Sequence, residues 1–231
     1  AEGAYLIPGH SRAIGDDGNA YVDDFEGSQS AIDIRNVTRW FLASTPKLQP
    51  SLFPEGDYED TLLYNYNRAA MAWYTIDPQF FRGSGLQDGQ VSADVKSDHR
   101  TREVLEGEVF PNRELPTGTP PNIPTLDLSF YPEERGPYNY EVPAGADGLS
   151  AGLTPEGLLA APESRWAGIQ RALTTTDFEA ANIEYLQFWL MDPFNDDSDN
   201  ISGGKLYFNL GNVSEDVLND SQLGYENGLP S

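Results

Sequence analysis

The sequence predicts a mainly β fold, a jelly-roll-like β-sandwich with long irregular loops and few short helices. Three observations carry that expectation. Leu206, Phe208 and Leu210 alternate with Lys205, Tyr207 and Asn209, the period-two pattern of a strand with one buried face. Just upstream, Ile183, Tyr185, Trp189 and Met191 fall on one side of an extended backbone, and Leu186, Phe188 and Leu190 on the other. A strand apolar on both faces belongs inside a sheet covered from both sides. Finally, 22 glycines and 17 prolines in 231 residues supply turns and loops rather than helices. The stretch from Thr176 to Asn212 is therefore expected to be a strand pair joined by an acidic loop, with Trp189 as a packing residue.

The other elements follow in chain order. Residues 1–19 are Gly-rich and polar apart from Tyr5-Leu6-Ile7 and read as an N-terminal arm. Residues 20–231 read as one sandwich domain. Ala20–Glu26 is its first strand, and Gly27-Ser28 ends it before Ala31–Ile34. Arg39–Leu42 is a second short strand. Tyr58–Asn67 is polar and aromatic without a clear period, and Arg68–Ile76 fits a strand or a helical run. Asp94–Glu108 is expected to be a short helix feeding an extended segment. Pro111–Pro124 holds five prolines and is expected to cross the surface without a ladder. Thr125–Tyr131 follows as a strand with Leu126, Leu128 and Phe130 on one face. Pro143–Pro162 is a second long loop of small residues. Arg165–Leu173 fits strand or helix, and Ser214–Leu218 reads as a helical turn capped by Ser214, with acids in its first turn.

Composition narrows the function classes. With 14 Lys plus Arg against 37 Asp plus Glu, the net charge is -23, which repels nucleic acid phosphates and anionic lipid headgroups. The chain has no cysteine, so disulfides and thiolate metal sites are ruled out. No apolar run approaches the ~18 residues of a membrane-crossing helix, and no signal peptide is visible. A start at Ala1 without Met and a polar finish at Glu226–Ser231 read as a piece of something longer.

No catalytic residue is assigned, and an enzyme is not expected. His10 and His99 are the only histidines, no Gly-x-Ser-x-Gly nucleophile turn is present, and the His spacing of a zinc site is missing. Acidic groups recur at Asp23, Asp24 and Glu26, at Asp57, Glu59 and Asp60, and at Asp177 and Glu179. A glycosidase needs two such groups facing across a cleft, which sequence alone does not define. Calcium has two candidate sites. Asp24 and Glu26 share one strand face while Phe25 packs on the other, resembling the first strand of carbohydrate-binding modules and other galactose-binding-type sandwiches, where a structural calcium often sits. Asp192–Asn200 is an oxygen-rich loop lacking the central Gly and closing Glu of an EF-hand. Of the four tryptophans, Trp166, beside Arg165 and after a Pro-rich loop, is the candidate sugar platform; Trp40, Trp73 and Trp189 have apolar neighbours.

Several segments, in order along most of the chain, carry a family resemblance: Tyr21-Val-Asp-Asp-Phe-Glu-Gly-Ser28; Tyr66-Asn-Arg-Ala69 with Ala72-Trp-Tyr74; Glu108-Val-Phe-Pro111; Thr125-Leu-Asp-Leu128; Tyr131-Pro-Glu-Glu-Arg-Gly-Pro-Tyr-Asn-Tyr140; Trp166 with Asp177-Phe-Glu179; Asn182–Phe194; and Phe208-Asn-Leu-Gly-Asn212. Together they resemble the SprA/Sov family, the giant outer-membrane translocons of type IX secretion and gliding motility. The resemblance implies a soluble insertion between barrel strands, extracellular or alternatively periplasmic. Its role would be structural and partner-binding. The implied partners are the rest of the barrel, its plug and shuttle proteins, and secreted cargo. It carries no active-site assignment. The alternative is a carbohydrate-binding sandwich for a surface glycan, using Trp166.

Overall fold

The computed structural model describes residues 9–11, 16–19, 33–82, 91–175, 177–179, 186, 188–195 and 203–222. The expected strand Ala20–Glu26, with the candidate calcium ligands Asp24 and Glu26, lies outside the described residues. So do Tyr5-Leu6-Ile7, Ile183–Tyr185 and positions 196–200 of the acidic loop.

The chain forms small antiparallel sheets with few short helices, the mainly β character expected of it. It divides into two compact units, one of Ala1–Ile34 with Leu173–Trp189 and one of Arg35–Ala172 with Leu190–Ser231. In the first unit, β1 (Gly9–Ser11) pairs with β2 (Asp16–Asn19), with a register shift between Gly9 and His10. The arm expected at residues 1–19 thus carries a small hairpin.

In the second unit three strand pairs are nested. The outermost joins β3 (Phe41–Leu42) to β8 (Ile169–Gln170). Inside it, β4 (Ala69–Tyr74) pairs with β7 (Asp127–Arg135). The innermost joins β5 (Val104–Leu105) to β6 (Asn122–Ile123). Short helices lie between: α1 (Gln79–Arg82), α2 (Ala93–Ser97) and α3 (Glu106–Val109). Ser92 caps α2 by accepting from the Val95 amide, and α2 leads on to the strand β5, the short helix feeding an extended segment expected over 94–108, with α3 directly after it. The Pro-rich crossover is irregular until its end, where β6 forms.

The ambiguous Arg68–Ile76 run resolves as the strand β4. Trp73 stands opposite Leu128 and Met71 opposite Phe130, cross-strand pairs that stabilise a two-stranded ribbon by fractions of a kcal/mol each, roughly 0.2–1. Leu128 and Phe130 do lie in a strand, β7, and both are nearly half exposed. The ribbon β4·β7 has two strands and no further sheet partner among the described residues, so the alternation marks cross-strand pairing rather than core.

A larger correction concerns the strand pair from Thr176 to Asn212. Residues 188–195 and 203–210 carry no strand among the described residues. Trp189 is 74% exposed rather than buried, and Leu186, Leu190, Leu206, Phe208 and Leu210 are each at least half exposed or close to it. Period two records which face a segment would bury; here no layer among the described residues lies over it. Ser214–Leu218 is also not helical. Ser214 Oγ accepts from the Asp216 amide, but the backbone continues as an irregular strap.

The interior collects around β4's first residue. Leu42, Phe53, Tyr64, Tyr66, Ala69, Leu159 and Val217 are buried, beside a longer set of buried polar groups that includes Glu55, Asn65, Asn67, Arg68, Asn139, Glu141 and Arg165. A bulge between Ala69 and Ala70 frees this end of the ribbon. The Ala69 amide then donates to Trp166 O at 2.8 Å, and the Gly136 amide to Arg68 O at 3.1 Å. The closeness of that second contact requires glycine: a Cβ on Gly136 would stand 2.3 Å from Ala69 O. Gly136→Ala is therefore expected to destabilise the second unit by about 3 kcal/mol, the upper range of overpacking costs, measured as a fall in the urea midpoint at unchanged slope.

Candidate functional site

The densest chemistry in the described structure is a buried polar cluster built from four separate segments. The first is Asn65-Tyr66-Asn67-Arg68, which leaves the short 3₁₀ turn Leu62–Asn65, whose first residue follows the cap Thr61, and enters β4. The second is Asn139–Glu141, after the turn that follows β7. The third is Arg165-Trp166, set by the 3₁₀ turn Pro162–Ser164. The fourth is Phe53–Glu55.

Arg165 and Glu141 form the centre. Their side chains are fully buried and joined at 2.6 Å between Nη1 and Oε2. Arg165 also donates from Nε to Ala160 O, from Nη1 to Tyr66 O and Asn67 Oδ1, and from Nη2 to Gly152 O. The other carboxylate oxygen of Glu141 accepts from the Gly152 amide at 2.8 Å. Gly152 can serve as donor and acceptor here because it sits at φ +80 with Pro143 O only 2.4 Å from where a Cβ would be. Asn139 fixes the same turn: its amide nitrogen donates to Tyr66 O and Arg68 O, and its amide oxygen accepts from the Glu141 amide. A buried ion pair is tolerated when its remaining lone pairs and protons are satisfied in this way.

Asn67 couples this pair to a second one. Its Oδ1 accepts from Arg165 while its Nδ2 donates to Glu55 Oε2 at 3.0 Å and to Leu149 O. The other oxygen of Glu55 accepts from Trp166 Nε1 at 2.7 Å. Arg68 lies over the indole face of Trp166, 4.6 Å from the ring centroid, and Phe53 meets the ring edge-on at 5.3 Å. Two arginines and two glutamates thus share one buried volume with no net charge, and Trp166 stands between Arg68 and Glu55.

Arg68 is the least satisfied member. Its Nε donates to Asn65 Oδ1 at 2.9 Å, but Nη1 and Nη2 have no hydrogen-bond acceptor among the described residues. Burial pushes its guanidinium down to about 10, against the opposing pull of Tyr64 and Glu55. Burial likewise raises the Tyr64 phenol, with the Arg68 charge acting in the opposite direction. The Tyr64 hydroxyl donates to Thr45 O, and Thr45 Oγ1 donates back to Tyr64 O, both at 2.8 Å.

Trp166, the candidate sugar platform, is a half-buried part of this cluster. Arg68 covers one ring face, and its N–H is spent on Glu55. Asp57, Glu59 and Asp60 lie exposed nearby in sequence, whereas among the described residues the buried carboxylates are Glu55 and Glu141, which sequence reasoning did not single out. His99 Nε2 contacts Asp192 O at 3.0 Å, and Arg100 Nε donates to Pro193 O, which ties the start of the acidic loop to the segment after α2. Among the described residues no three His, Asp or Glu side chains gather as a metal-ligand set.

Every hydrogen-bonding atom of the two glutamates is engaged by Arg, Asn, Trp or a backbone amide. The arrangement fixes four chain segments relative to one another; it presents no free nucleophile–base pair. Compared with models of known protein families and with curated proteins, the chain matches none of them.

Two outcomes are expected. Arg165→Met leaves the Glu141 carboxylate buried without its cation and costs about 3–5 kcal/mol. Adding Glu141→Leu restores about half of that, since Gly152 and Ala160 still lose partners; chemical denaturation of the three variants measures both. Arg68 gives a pH signature. Its folded value of about 10 lies well below that of an ordinary arginine, so above about pH 10 the unfolded chain holds more protons and stability rises with pH. The penalty is full below pH 10, at most about 3 kcal/mol. The stability of wild type minus that of Arg68→Met should therefore increase from pH 9.5 to 11.5, a range of roughly two units chosen to cross the folded value.

Proposed function

We propose that this chain is a structural and partner-binding insertion domain of a giant outer-membrane translocon that serves type IX secretion and gliding motility. It takes no catalytic step. Its partners are the surrounding barrel, the plug and shuttle proteins that attach to it, and passing cargo, and it sits on the extracellular side of the outer membrane.

One observation carries the partner-binding part. Leu206, Tyr207, Phe208 and Leu210 are exposed side by side along residues 203–210, a stretch whose residues are all exposed. A monomer rarely leaves such an apolar run bare unless another surface covers it. The family part is supported by where the resembling motifs fall. Tyr66-Asn-Arg-Ala69, the Gly136–Tyr140 end of the long tyrosine-rich motif, and Trp166 converge on the buried cluster, as fold-defining residues would. No helix among the described residues is long and apolar enough to cross a membrane.

The jelly-roll-like form belongs to the same proposal. A jelly roll arises when a long antiparallel hairpin is rolled, so that its pairs are nested first with last. The pairs β3·β8, β4·β7 and β5·β6 have that concentric order.

In the parent translocon, Leu206→Ser combined with Phe208→Ser and Leu210→Ser is expected to reduce cargo secretion severalfold. Exposed positions of this kind change stability by only about 0.5 kcal/mol each, so the melting temperature of the isolated chain should hold. Secretion that continues at the wild-type level after removal of the whole domain would reject the proposal.

A further inference from the structure

The turn after α2 grips the second unit at one particular peptide bond. His99 Nε2 lies 3.0 Å from Asp192 O, and Arg100 Nε donates to Pro193 O at 3.2 Å. A carbonyl oxygen only accepts, so Nε2 carries the hydrogen of the first contact. The turn that presents both side chains is itself fixed. Asp98 O accepts from the Thr101 and Arg102 amides at 3.1 and 2.9 Å, and Asp98 Oδ1 accepts from the Arg100 amide at 2.9 Å. On the other side, Asp192 Oδ1 accepts from the Phe194 amide at 2.9 Å. This bond closes an Asx turn, which folds an aspartate side chain toward the peptide link that follows it.

The bond held in this way joins aspartate to proline, and its chemistry is particular. Proline has no N–H, so its nitrogen cannot close onto the aspartate carboxyl as a following amide can elsewhere. The intramolecular route left open is attack by the carboxylate on its own residue's carbonyl carbon, with both groups held in one residue. Negative charge then gathers on Asp192 O, where His99 already donates, which is the arrangement of an oxyanion site. An imidazole can also carry a positive charge there, and a charged donor makes roughly twice as strong a bond as a neutral one.

We propose that Asp192–Pro193 is a self-cleavage site, with the Asp192 carboxylate as nucleophile and His99 as the donor to the oxyanion. The bond from Asp192 Oδ2 to its carbonyl carbon forms, and the C–N bond to Pro193 breaks. The electron pair of that bond stays on the proline nitrogen, which takes a proton from solvent. The cyclic anhydride left on Asp192 takes up one water and opens to two carboxylates, so the net reaction is hydrolysis of a single peptide bond. Asp192 and Pro193 are exposed, which admits that water. The event occurs once per chain, turns over no substrate and is independent of the translocon proposal. After the cut, residues 193–231 stay attached where Ser44 Oγ donates to Ser214 O, Asn65 Nδ2 to Val217 O and the Asp60 amide to Asn219 O.

The chain supplies its own comparison, because Asp77–Pro78 is the other Asp–Pro bond in the sequence. Asp77 Oδ1 makes the same turn with the Gln79 amide at 2.9 Å, but Asp77 O accepts from the Phe80 amide at 3.0 Å instead of an imidazole. The full chain is held folded at about pH 5.5, where a model imidazole carries its charge, then quenched in denaturant and weighed intact. Cleavage at Asp192–Pro193 should run about tenfold faster than at Asp77–Pro78, less than the effect of an enclosed oxyanion donor because the site is exposed. In urea the two rates should converge. His99→Ala should bring the Asp192 rate down to that of Asp77, and Asp192→Ala should abolish the cut. In heavy-oxygen water, label should enter the side-chain carboxylate of Asp192 as well as its α-carboxylate, as opening of an anhydride requires. Equal rates at the two bonds in the folded chain overturn the proposal, as does a wild-type rate in His99→Ala. So do label confined to the α-carboxylate and a cut that persists in Asp192→Ala, which marks a contaminating protease.

Discussion

The structure depends on one buried contact, the Arg165–Glu141 ion pair extended through Asn67 to Glu55 and Trp166. Removing two charges from water costs several kcal/mol per ion, and the chain recovers that cost by aiming five acceptors at Arg165. Four of them are backbone carbonyls or an amide oxygen, from the adjacent residues 66 and 67 and from residues 152 and 160. The pair therefore works less as a source of net stability than as a geometric lock. An apolar core would tolerate small rotations among its segments. This one loses whole hydrogen bonds if any segment shifts, and each buried group left unsatisfied costs about 1–3 kcal/mol.

That lock explains how so little regular structure holds together. The named strands pair only two by two, four of them being two residues long, and isolated two-stranded ribbons are marginal in water. The bulge at Ala69, the close approach at Gly136 and the left-handed turn at Gly152 all bring backbone to the cluster rather than extend a sheet. The nested pairs then leave the cluster outward, from β4·β7 to the loops beyond. Surface residues are released from any packing duty, which fits an acidic, loop-rich exterior with an apolar stretch at 203–210.

Much of the mainly β character was legible in the sequence, because alternation and turn residues report local preference directly. Phe41–Leu42 and part of β7 lie where the pattern placed strands, and β4 resolves a run that fitted strand or helix. The candidate site was legible only as wording. Tyr66-Asn-Arg-Ala69 and Trp166 stood out as motif residues, but their partners Glu55 and Glu141 did not, since burial of an acid depends on partners brought in from elsewhere in the chain, Arg165 for Glu141 and Asn67 with Trp166 for Glu55. The same limit misassigned Trp189 and the 205–210 alternation. A period describes the face that would be buried, and burial also requires a second surface, which no pattern within the segment encodes. Trp166 shows the converse: its polar neighbours suggested the surface, and Arg68 and Glu55 are what bring it partly inside.

Native-state hydrogen exchange tests the lock most directly. The amides of Ala69, Gly136, Gly152 and Trp166 each donate to an acceptor in or beside the cluster, at 2.8, 3.1, 2.8 and 3.1 Å, yet they belong to different segments. If the cluster holds the second unit as one cooperative body, all four should exchange with a common opening free energy equal to that of global unfolding. They should also respond to denaturant with the same slope. Four separate opening energies, with Gly152 or Gly136 exchanging through local fraying while Ala69 stays protected, would contradict the account.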